Sequence, residues 1–326
     1  MLLDGTDAHA LQQAAQLLEA GELVAFPTET VYGLGARADD DVAVAKIFAA
    51  KGRPANHPLI VHVAEPRDAE RFAHSVPAVA NRLMAAFWPG PLTLILPRAE
   101  GMAAAAAGGQ NSIGLRCPSH PVARALLGAA HELGVPGVAG PSANRFGRIS
   151  PTLALHVAEE FGDTLAVVDG GACEIGIESS IVDCSRGRPV LLRPGVLTRA
   201  RIEAAAGEPL HAPDADAPRA SGTLVAHYAP NARVRLMSQQ MLTSALQLLG
   251  DQPLKLAVYS RSVPLGAASG VRHRRMPSLP DQAAHELFSV LRELDAEGVQ
   301  LIWVEEPPAD PEWDGVRDRL LRAAAS

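Results

Sequence analysis

Two neighbouring segments decide the fold: Phe26-Pro-Thr-Glu-Thr-Val-Tyr-Gly-Leu-Gly-Ala36 and Lys51-Gly-Arg-Pro-Ala-Asn-His-Pro-Leu-Ile-Val-His-Val63. The apolar run Leu23–Phe26 predicts a strand that stops at a proline. A capped helix over 40–49 and a buried strand over 58–63 are predicted next. The resulting order of strand, polar turn, helix, basic loop and strand is typical of an α/β fold.

Polar residues collect where these predicted strands end. The turn Thr28–Tyr32 follows the first strand, and His62 lies near the exit of the second. Ligands of open α/β sheets bind at the carboxyl ends of strands, so both places are candidate binding sites. Lysine occurs only three times in the chain, and Lys46 and Lys51 fall in this region. The alternative interpretation is a surface loop with solvated charges.

Two arginines repeat one pattern further along the chain. Arg116 ends the predicted strand 112–116 and Arg193 follows the predicted strand 189–192, each just before a proline turn. The planar guanidinium suits a carboxylate or a phosphate, although a surface ion pair is an equally simple interpretation. Both arginines are therefore candidate ligands for an anion.

Small polar residues follow the predicted strand 135–140. Pro141-Ser142-Ala143-Asn144 offers side-chain donors at a sheet edge. Ser150 is predicted to cap the helix that Pro151 opens, and an anion at the exposed N–H groups of that helix is the functional alternative. The alanine-rich piece 101–109 is predicted to be a mobile loop.

The composition is that of an ordinary globular protein. The 326 residues are 48% hydrophobic and 20% charged, with a net charge of −7. This length predicts two domains, and the negative charge disfavours a protein that coats nucleic acid. Cys117, Cys173 and Cys184 form no CxxC pair, so core positions in a reducing compartment are expected. With no leader-like or 18-residue apolar segment, we expect a cytoplasmic protein without membrane contact.

The chain is expected to divide near residue 207. We predict a catalytic domain over 1–207, a linker over 208–232 that can close over the site, and a smaller doubly wound α/β domain over 233–326. Within the last domain, strands are predicted over 234–237, 254–260 and 301–304, alternating with helices. No GxGxxG sequence and no Walker A loop occurs in the chain.

Eight ordered motifs together resemble the threonylcarbamoyl-AMP synthase family, in its long form with a YrdC-type catalytic domain. The motifs are Phe26–Ala36, Lys51–Val63, Trp88–Leu96, Ser112–Pro118, Pro141–Asn144, Ser150–Thr152, Glu178–Asp183 and Leu192–Gly195. The linker motif His227-Tyr-Ala-Pro230 adds to the resemblance. The family implies a twisted, mixed open α/β sheet with a basic, nucleotide-sized cavity.

The resemblance also implies a reaction. L-Threonine, bicarbonate or CO₂, and ATP give threonylcarbamoyl-AMP and pyrophosphate, which makes the enzyme a nucleotidyltransferase. The product serves the modification of tRNA next to the anticodon, so a downstream tRNA-modifying transferase complex and direct tRNA contact are conceivable partners. Mg²⁺ is expected to arrive with ATP rather than in a protein cage.

The family's site residues transfer to matching positions of this chain. The resemblance places threonine on Thr30, His62, Arg116, Gly140 and Ser179. It places ATP on Lys51, Arg53, His57, Ser112, Ser142, Asn144, Ser150, Arg193 and Tyr228. Lys51, Arg53 and Arg116 are expected to position the reactants, and no covalent catalytic residue is assigned.

Two positions depart from the family pattern. His57 stands where asparagine is common, and its charge can vary near neutral pH. The linker piece Thr223–Ala226 lacks the usual methionine and basic or aromatic residues, which weakens the expectation for Tyr228. Two other functions stay open: an RNA-binding or ribosome-associated module, and a carbamoyl-transfer domain with another acceptor. The low aromatic content disfavours the RNA module.

Overall fold

The structure is a computed structural model that describes residues 1–249, 255–264 and 271–326. The chain forms two compact units. The first comprises Met1–Phe146 and Ser150–Thr223, and the second comprises Gly147–Ile149 and Leu224–Ser326. None of the helices in the described ranges is long and apolar enough to cross a membrane.

The first unit alternates helices with short strands. Its α-helices are α1 (Ala8–Glu19), α2 (Asp41–Lys51), α3 (Ala78–Phe87), α4 (Pro121–Glu132), α5 (Ala154–Phe161) and α6 (Arg199–Ala206), with 3₁₀ turns at Pro66–Arg71 and Gly162–Thr164. Its strands are β1 (Leu2–Asp4), β2 (Val24–Phe26), β3 (Gly33–Arg37), β4 (Ile60–His62), β5 (Leu92–Pro97), β6 (Ser112–Arg116), β7 (Val138–Ala139), β8 (Ala166–Asp169), β9 (Ser180–Asp183) and β10 (Val190–Arg193).

These strands form one mixed ten-stranded sheet in the order β1-β8-β2-β3-β7-β4-β6-β5-β9-β10. Strand β6 pairs parallel to β4 and antiparallel to β5, and β5 pairs parallel to β9. The expectation of a mixed open α/β sheet is confirmed. Its registers place His62 beside Arg116, so two of the predicted site residues are neighbours across the sheet.

The central strands divide their side chains between two faces because successive residues of a strand point to opposite sides. Val61, Leu94 and Leu115 lie in the main hydrophobic core with α2 and α3. Ile60, Ile95 and Ile181 form a separate small cluster. The second face also carries the polar candidates, because Ser112 and Arg116 alternate with Ile113 and Leu115 along β6.

The second unit is built on a four-stranded parallel sheet within the described residues. The order is β11-β14-β12-β13, formed by β11 (Arg233–Met237), β12 (Leu256–Ser260), β13 (Arg272–Arg275) and β14 (Leu301–Glu305). Its α-helices are α7 (Gln239–Leu249), α8 (Pro280–Ala296) and α9 (Asp314–Ala324), with a 3₁₀ turn at Pro311–Trp313.

Helices of the second unit pack on both faces of its sheet. Leu242 and Leu246 of α7 pack with Leu256 and Val258 of β12. Tyr259, which points the other way, donates its hydroxyl to Glu286 of α8 at 2.8 Å. The expected smaller α/β domain is confirmed. Strand β12 was predicted to begin at Leu254, which lies outside the described residues.

Four local predictions were wrong. Lys51 is the last residue of α2 rather than a residue beyond it. Gly33–Arg37, predicted as a turn, is a strand in which a Cβ on Gly35 would lie 2.9 Å from the Phe26 ring. The piece 101–109 packs Ala103 and Ala106 into the main core. Helix α5 begins at Ala154, so Ser150 is not its cap.

Candidate functional site

Arg116 lies at the centre of a buried polar pocket formed with Glu29, Thr30, His62 and Gly140, here called the Arg116 pocket. Its Nε donates to the Gly90 carbonyl at 3.2 Å and its Nη1 donates to Thr30 Oγ1 at 2.8 Å. Its Nη2 lies 2.7 Å from Glu29 Oε1, and both side chains are almost fully buried. The guanidinium is therefore fixed by two segments of the chain, around residues 29–30 and 90.

The threonine hydroxyls beside Arg116 have defined donor directions. Thr28 Oγ1 donates its only proton to the Val31 carbonyl at 2.7 Å. Thr30 must therefore be the donor in its 2.8 Å contact with Thr28. Because Arg116 donates to Thr30, this chain of hydrogen bonds orients the Thr30 hydroxyl and leaves it one lone pair.

His62 contributes a neutral ring to the Arg116 pocket. Burial, together with the nearby Arg116 charge, lowers the pKa of His62 to about 3. Its Nδ1 is buried and lacks a hydrogen-bond partner among the described residues. The ring lies against Gly140, where a Cβ would come within 3.1 Å of that nitrogen. An alanine at this position would require the imidazole to shift by a few tenths of an ångström.

Arg193 holds a second polar cluster on the same sheet face. Its Nε donates to the Ser179 carbonyl at 3.0 Å and its Nη2 donates to Ser179 Oγ at 3.2 Å. Ser179 Oγ also lies 2.8 Å from Thr93 Oγ1. Through Nη1, Arg193 donates to the Ser221 carbonyl at 2.8 Å, which connects it to the segment 208–223 of the first unit.

Lys51 and Arg53 form a third group with the residues around 142–144. Lys51 Nζ donates to the Ser142 carbonyl at 2.6 Å and to the Asn144 carbonyl. Burial, with a smaller contribution from the Arg53 charge, lowers the pKa of Lys51 well below its usual value. Arg53 donates to the Pro58 carbonyl at 2.9 Å. An entering polyanion would favour the charged form of Lys51.

His57 and Arg53 flank one aromatic ring. The Arg53 guanidinium lies 5.7 Å from the centre of the Phe146 ring, and the His57 ring meets that ring edge-on at 5.4 Å. Burial and the charges of Arg53 and Arg219 lower the pKa of His57. A neutral His57 can still donate one hydrogen bond.

A small cavity of about 10 Å³ lies on the sheet face that carries these groups. Ser112, Gly114 and the isoleucine cluster line it, and Arg219, Ala220 and Ser221 border it. The Gln110 side chain holds this segment through paired hydrogen bonds with the backbone of Arg219, at 2.8 and 3.1 Å. Part of the predicted linker thus lies directly on the candidate site.

The remaining predicted residues have other contacts. Ser150 Oγ donates to Glu178 Oε1 at 2.5 Å. Tyr228 belongs to the second unit, where it is buried with a positive φ of 63°. Its ring packs 5.4 Å from the Phe288 ring and 5.6 Å from the Arg319 guanidinium carbon.

Within the described ranges, no group of three or more His, Cys, Asp or Glu side chains is placed to hold a metal ion. Cys117, Cys173 and Cys184 are free and buried.

Comparison with known proteins gives matches along both units. Residues 16–195 match the family model Sua5/YciO/YrdC, described as "Telomere recombination", and residues 197–325 match "Threonylcarbamoyl-AMP synthase, C-terminal domain". The chain is 38% identical to the threonylcarbamoyl-AMP synthase of Pyrococcus abyssi, over 95% of this chain and 93% of the relative. It is also 38% identical to the threonylcarbamoyl-AMP synthase of Bacillus subtilis, over 98% of this chain and 94% of the relative.

The chain belongs to the threonylcarbamoyl-AMP synthase family. A solved relative, Pyrococcus abyssi Sua5 in complex with L-threonine, superposes with a TM-score of 0.86 at 36% identity, covering 98% of this chain and 95% of that one. The predicted resemblance is therefore confirmed.

In this member of the family, the predicted residues other than Ser112, Ser150 and Tyr228 fall into the three groups described above. Thr30, His62, Arg116 and Gly140 meet in the Arg116 pocket. Ser179 and Arg193 meet in the second cluster, and Lys51, Arg53, His57, Ser142 and Asn144 surround the third.

The sequence argument gave no role to Glu29, Thr93 or Glu178, although each contacts a predicted site residue. Glu29 and Glu178 lie inside two of the family motifs, which is the one feature that could have identified them.

Proposed function

We propose that this chain synthesises L-threonylcarbamoyl-AMP and pyrophosphate from L-threonine, bicarbonate or CO₂, and ATP, for the threonylcarbamoyladenosine modification of tRNA next to the anticodon. Threonylcarbamoyl-AMP synthases match nearly its whole length. The observation that carries the proposal is that two buried polar clusters, one around Arg116 and one around Arg193, lie on the same face of the sheet. Two anionic reactants require such a face because their mutual repulsion must be screened.

Threonine is assigned to the Arg116 pocket. We assign the threonine carboxylate to the planar guanidinium of Arg116, whose Nη2 lies 2.7 Å from Glu29 Oε1. The oriented Thr30 hydroxyl and the neutral His62 ring supply further polar contacts. Threonine as the ligand is supported by the L-threonine complex of the Pyrococcus abyssi relative.

ATP is assigned to the remaining polar groups. Lys51, Arg53 and Arg193 supply positive charge for the triphosphate, and Ser112 lies in the adjoining cavity. We propose that Mg²⁺ enters with ATP, because phosphate oxygens are ligands that it prefers. Tyr228 and His57 are proposed to contribute further contacts with ATP.

The chemistry needs no covalent protein intermediate. The neutral threonine amine adds to the carbon of CO₂ and releases a proton to solvent, or displaces water from bicarbonate as a C–O bond breaks, and either route gives a carbamate. One carbamate oxygen then attacks the α-phosphorus, and the bond to pyrophosphate breaks. The protein holds the two anions in line, and its cations stabilise the charge that develops on the transferring and leaving groups. A cytoplasmic location, where ATP is available and thiols stay reduced, is part of the proposal.

The test is pyrophosphate release from ATP by the purified protein. We expect release that requires both L-threonine and bicarbonate. Release without either substrate, or none from folded protein, would contradict the proposal. Salt-dependent retention of RNA without turnover would then favour an RNA-binding module.

A further inference from the structure

Three buried polar atoms in the Arg116 pocket make no aligned hydrogen bond in the part of the chain that the structure describes, although two of them, Glu29 Oε1 and Arg116 Nη2, form an ion pair with each other at 2.7 Å. They are Glu29 Oε1, Arg116 Nη2 and His62 Nδ1. Buried polar atoms are nearly always hydrogen-bonded, so three exceptions in one pocket need an explanation. A small polar ligand that supplies the missing contacts would explain all three.

The Glu29 carboxylate is held firmly while one of its oxygens stays available. Glu29 Oε2 accepts from the Ser119 backbone N–H at 3.2 Å, and the Glu29 carbonyl accepts from Ile175 at 2.7 Å. Glu29 Oε1 lies 2.7 Å from Arg116 Nη2, but no N–H is aligned on it in a hydrogen bond. Its charge is balanced, whereas its hydrogen-bonding capacity is unused.

The charges of the pocket match an amino acid zwitterion. A site with Arg116 and the neutral His62 alone would accept any small carboxylate. The added carboxylate of Glu29 repels a simple anion and attracts a ligand that also carries a positive charge. An α-amino acid carries its ammonium and carboxylate groups within a few bonds of each other. One such ligand can therefore contact the neighbouring side chains of Glu29 and Arg116 at the same time.

We propose that Glu29 binds the α-ammonium group of the substrate and thereby makes the pocket specific for amino acids over hydroxy acids. The inference rests on the proposed function, because it takes L-threonine as the ligand. Glu29 Oε1 accepts a hydrogen bond from the ammonium while Arg116 Nη2 donates to the carboxylate. The amine is thereby held in a fixed position before it loses a proton and reacts.

The test compares two ligands on two proteins. The ligands are L-threonine and 3-hydroxybutyrate, which is the same molecule without the amino group. Binding is measured by calorimetry on the full chain, wild type and Glu29→Gln. We expect wild type to prefer threonine by about 100-fold or more, since a ligand without the amine leaves the buried carboxylate unpaired. In Glu29→Gln we expect this ratio to fall below about tenfold.

Matched controls separate recognition from folding. Glu65→Gln removes an exposed carboxylate that pairs with Arg124 at 2.8 Å, and it is expected to keep the wild-type ratio. Glu29→Asp keeps the charge and is expected to recover part of the ratio. Thermal unfolding reports whether each variant is folded. If Glu29→Gln does not fold, the wild-type comparison still decides, because equal affinity for both ligands would overturn the proposal.

The outcomes distinguish this inference from the proposed function. A wild-type protein that binds threonine and a folded Glu29→Gln that loses affinity for both ligands equally would overturn the role of Glu29 alone. A folded wild-type protein that binds no threonine would overturn both proposals.

Discussion

Each unit pairs an arginine with a buried glutamate near the ends of its strands, and the two pairs differ in their hydrogen bonds. In the first unit, Glu29 Oε1 and Arg116 Nη2 are in contact without an aligned hydrogen bond. In the second, Glu305 accepts from the backbone N–H groups of Arg261 and Ser262, from Ser262 Oγ and from the Arg261 guanidinium, at 2.8 to 3.0 Å.

The difference separates a structural pair from one prepared for a ligand. Both oxygens of Glu305 are saturated, so this carboxylate joins the ends of β12 and β14 and has little left to offer a ligand. The Arg116 pair leaves polar capacity unused, which costs stability unless a substrate completes it. An arginine–glutamate pair therefore indicates a binding site only when its hydrogen bonding is incomplete.

The largest expected effect comes from replacing Arg116, the arginine of the first unit's pair. Arg116→Ala should lower threonine-dependent pyrophosphate release by about 1000-fold, because the carboxylate loses its charged partner. ATP binding, followed by calorimetry, should stay largely intact. Arg261→Ala is the matched variant, and its folded fraction should keep the wild-type affinity for threonine. An Arg116→Ala variant that loses affinity for threonine and for ATP to the same extent would contradict the threonine assignment.

The two glutamates should differ in stability. Glu305→Ala removes four hydrogen bonds to a carboxylate, whereas Glu29→Ala removes one. We expect Glu305→Ala to lower the free energy of unfolding by about 3 kcal/mol more than Glu29→Ala does. Denaturant unfolding of the two variants measures this difference. Equal losses would mean that the hydrogen bonds of Glu305 add little to its ion pair.

His62 gives the first pair a pH dependence. Its pKa is lowered to about 3 by burial and by Arg116, from an unfolded value of 6.5, while a hydrogen bond with Val138 acts in the opposite direction. The unfolded state therefore binds more protons between these values, and stability is lost as the pH falls from 6.5 towards 3. Between pH 6.5 and 5 the loss should be about 2 kcal/mol.

His62→Gln provides the measurement, since the variant should lose less stability over that interval than wild type does. His273 offers a comparison in the second unit, where burial and Arg275 lower its pKa and Ser260 Oγ contacts its Nε2 at 2.8 Å. Identical pH profiles for wild type and His62→Gln would show that His62 is not kept neutral by its surroundings.

The smallest expected effect comes from a change beside the Arg261–Glu305 pair, in which both carboxylate oxygens already accept hydrogen bonds. Ser262→Ala removes one of the donors to Glu305 and should cost about 1 kcal/mol of unfolding free energy. Threonine affinity and pyrophosphate release should not change. A loss of threonine affinity in this variant would remove the distinction drawn between the two pairs.

The sequence predicted most elements because their hydrophobic periods are local. Helix α8 and strand β6 follow directly from the spacing of their apolar residues. Strand β13 was missed because Arg272–Arg275 contains no apolar residue, and its position depends on pairing with β12. Strand β3 was missed because its glycines were interpreted as allowing a sharp turn, although Gly35 is a strand residue at which a Cβ would lie 2.9 Å from the Phe26 ring and from Val138.

The sequence predicted the positively charged residues of the candidate site, but it did not predict which residues contact them. Arg116 and Arg193 stand out because each ends an apolar strand before a proline. Glu29 and Glu178 lie 87 and 28 positions from the residues they contact, Arg116 and Ser150, and no local pattern joins them. Ser150 does not cap α5 because that helix begins only at Ala154, and its hydroxyl donates to Glu178.

The packing of Ala220 against the isoleucine cluster bears on how this protein can be divided for expression. A fragment that stops at residue 207 would expose Ile60, Ile95 and Ile181 on an open sheet face, and such a patch favours aggregation. A fragment that runs to Thr223 keeps that cover together with the Gln110 contacts. The gene is therefore best cut after codon 223.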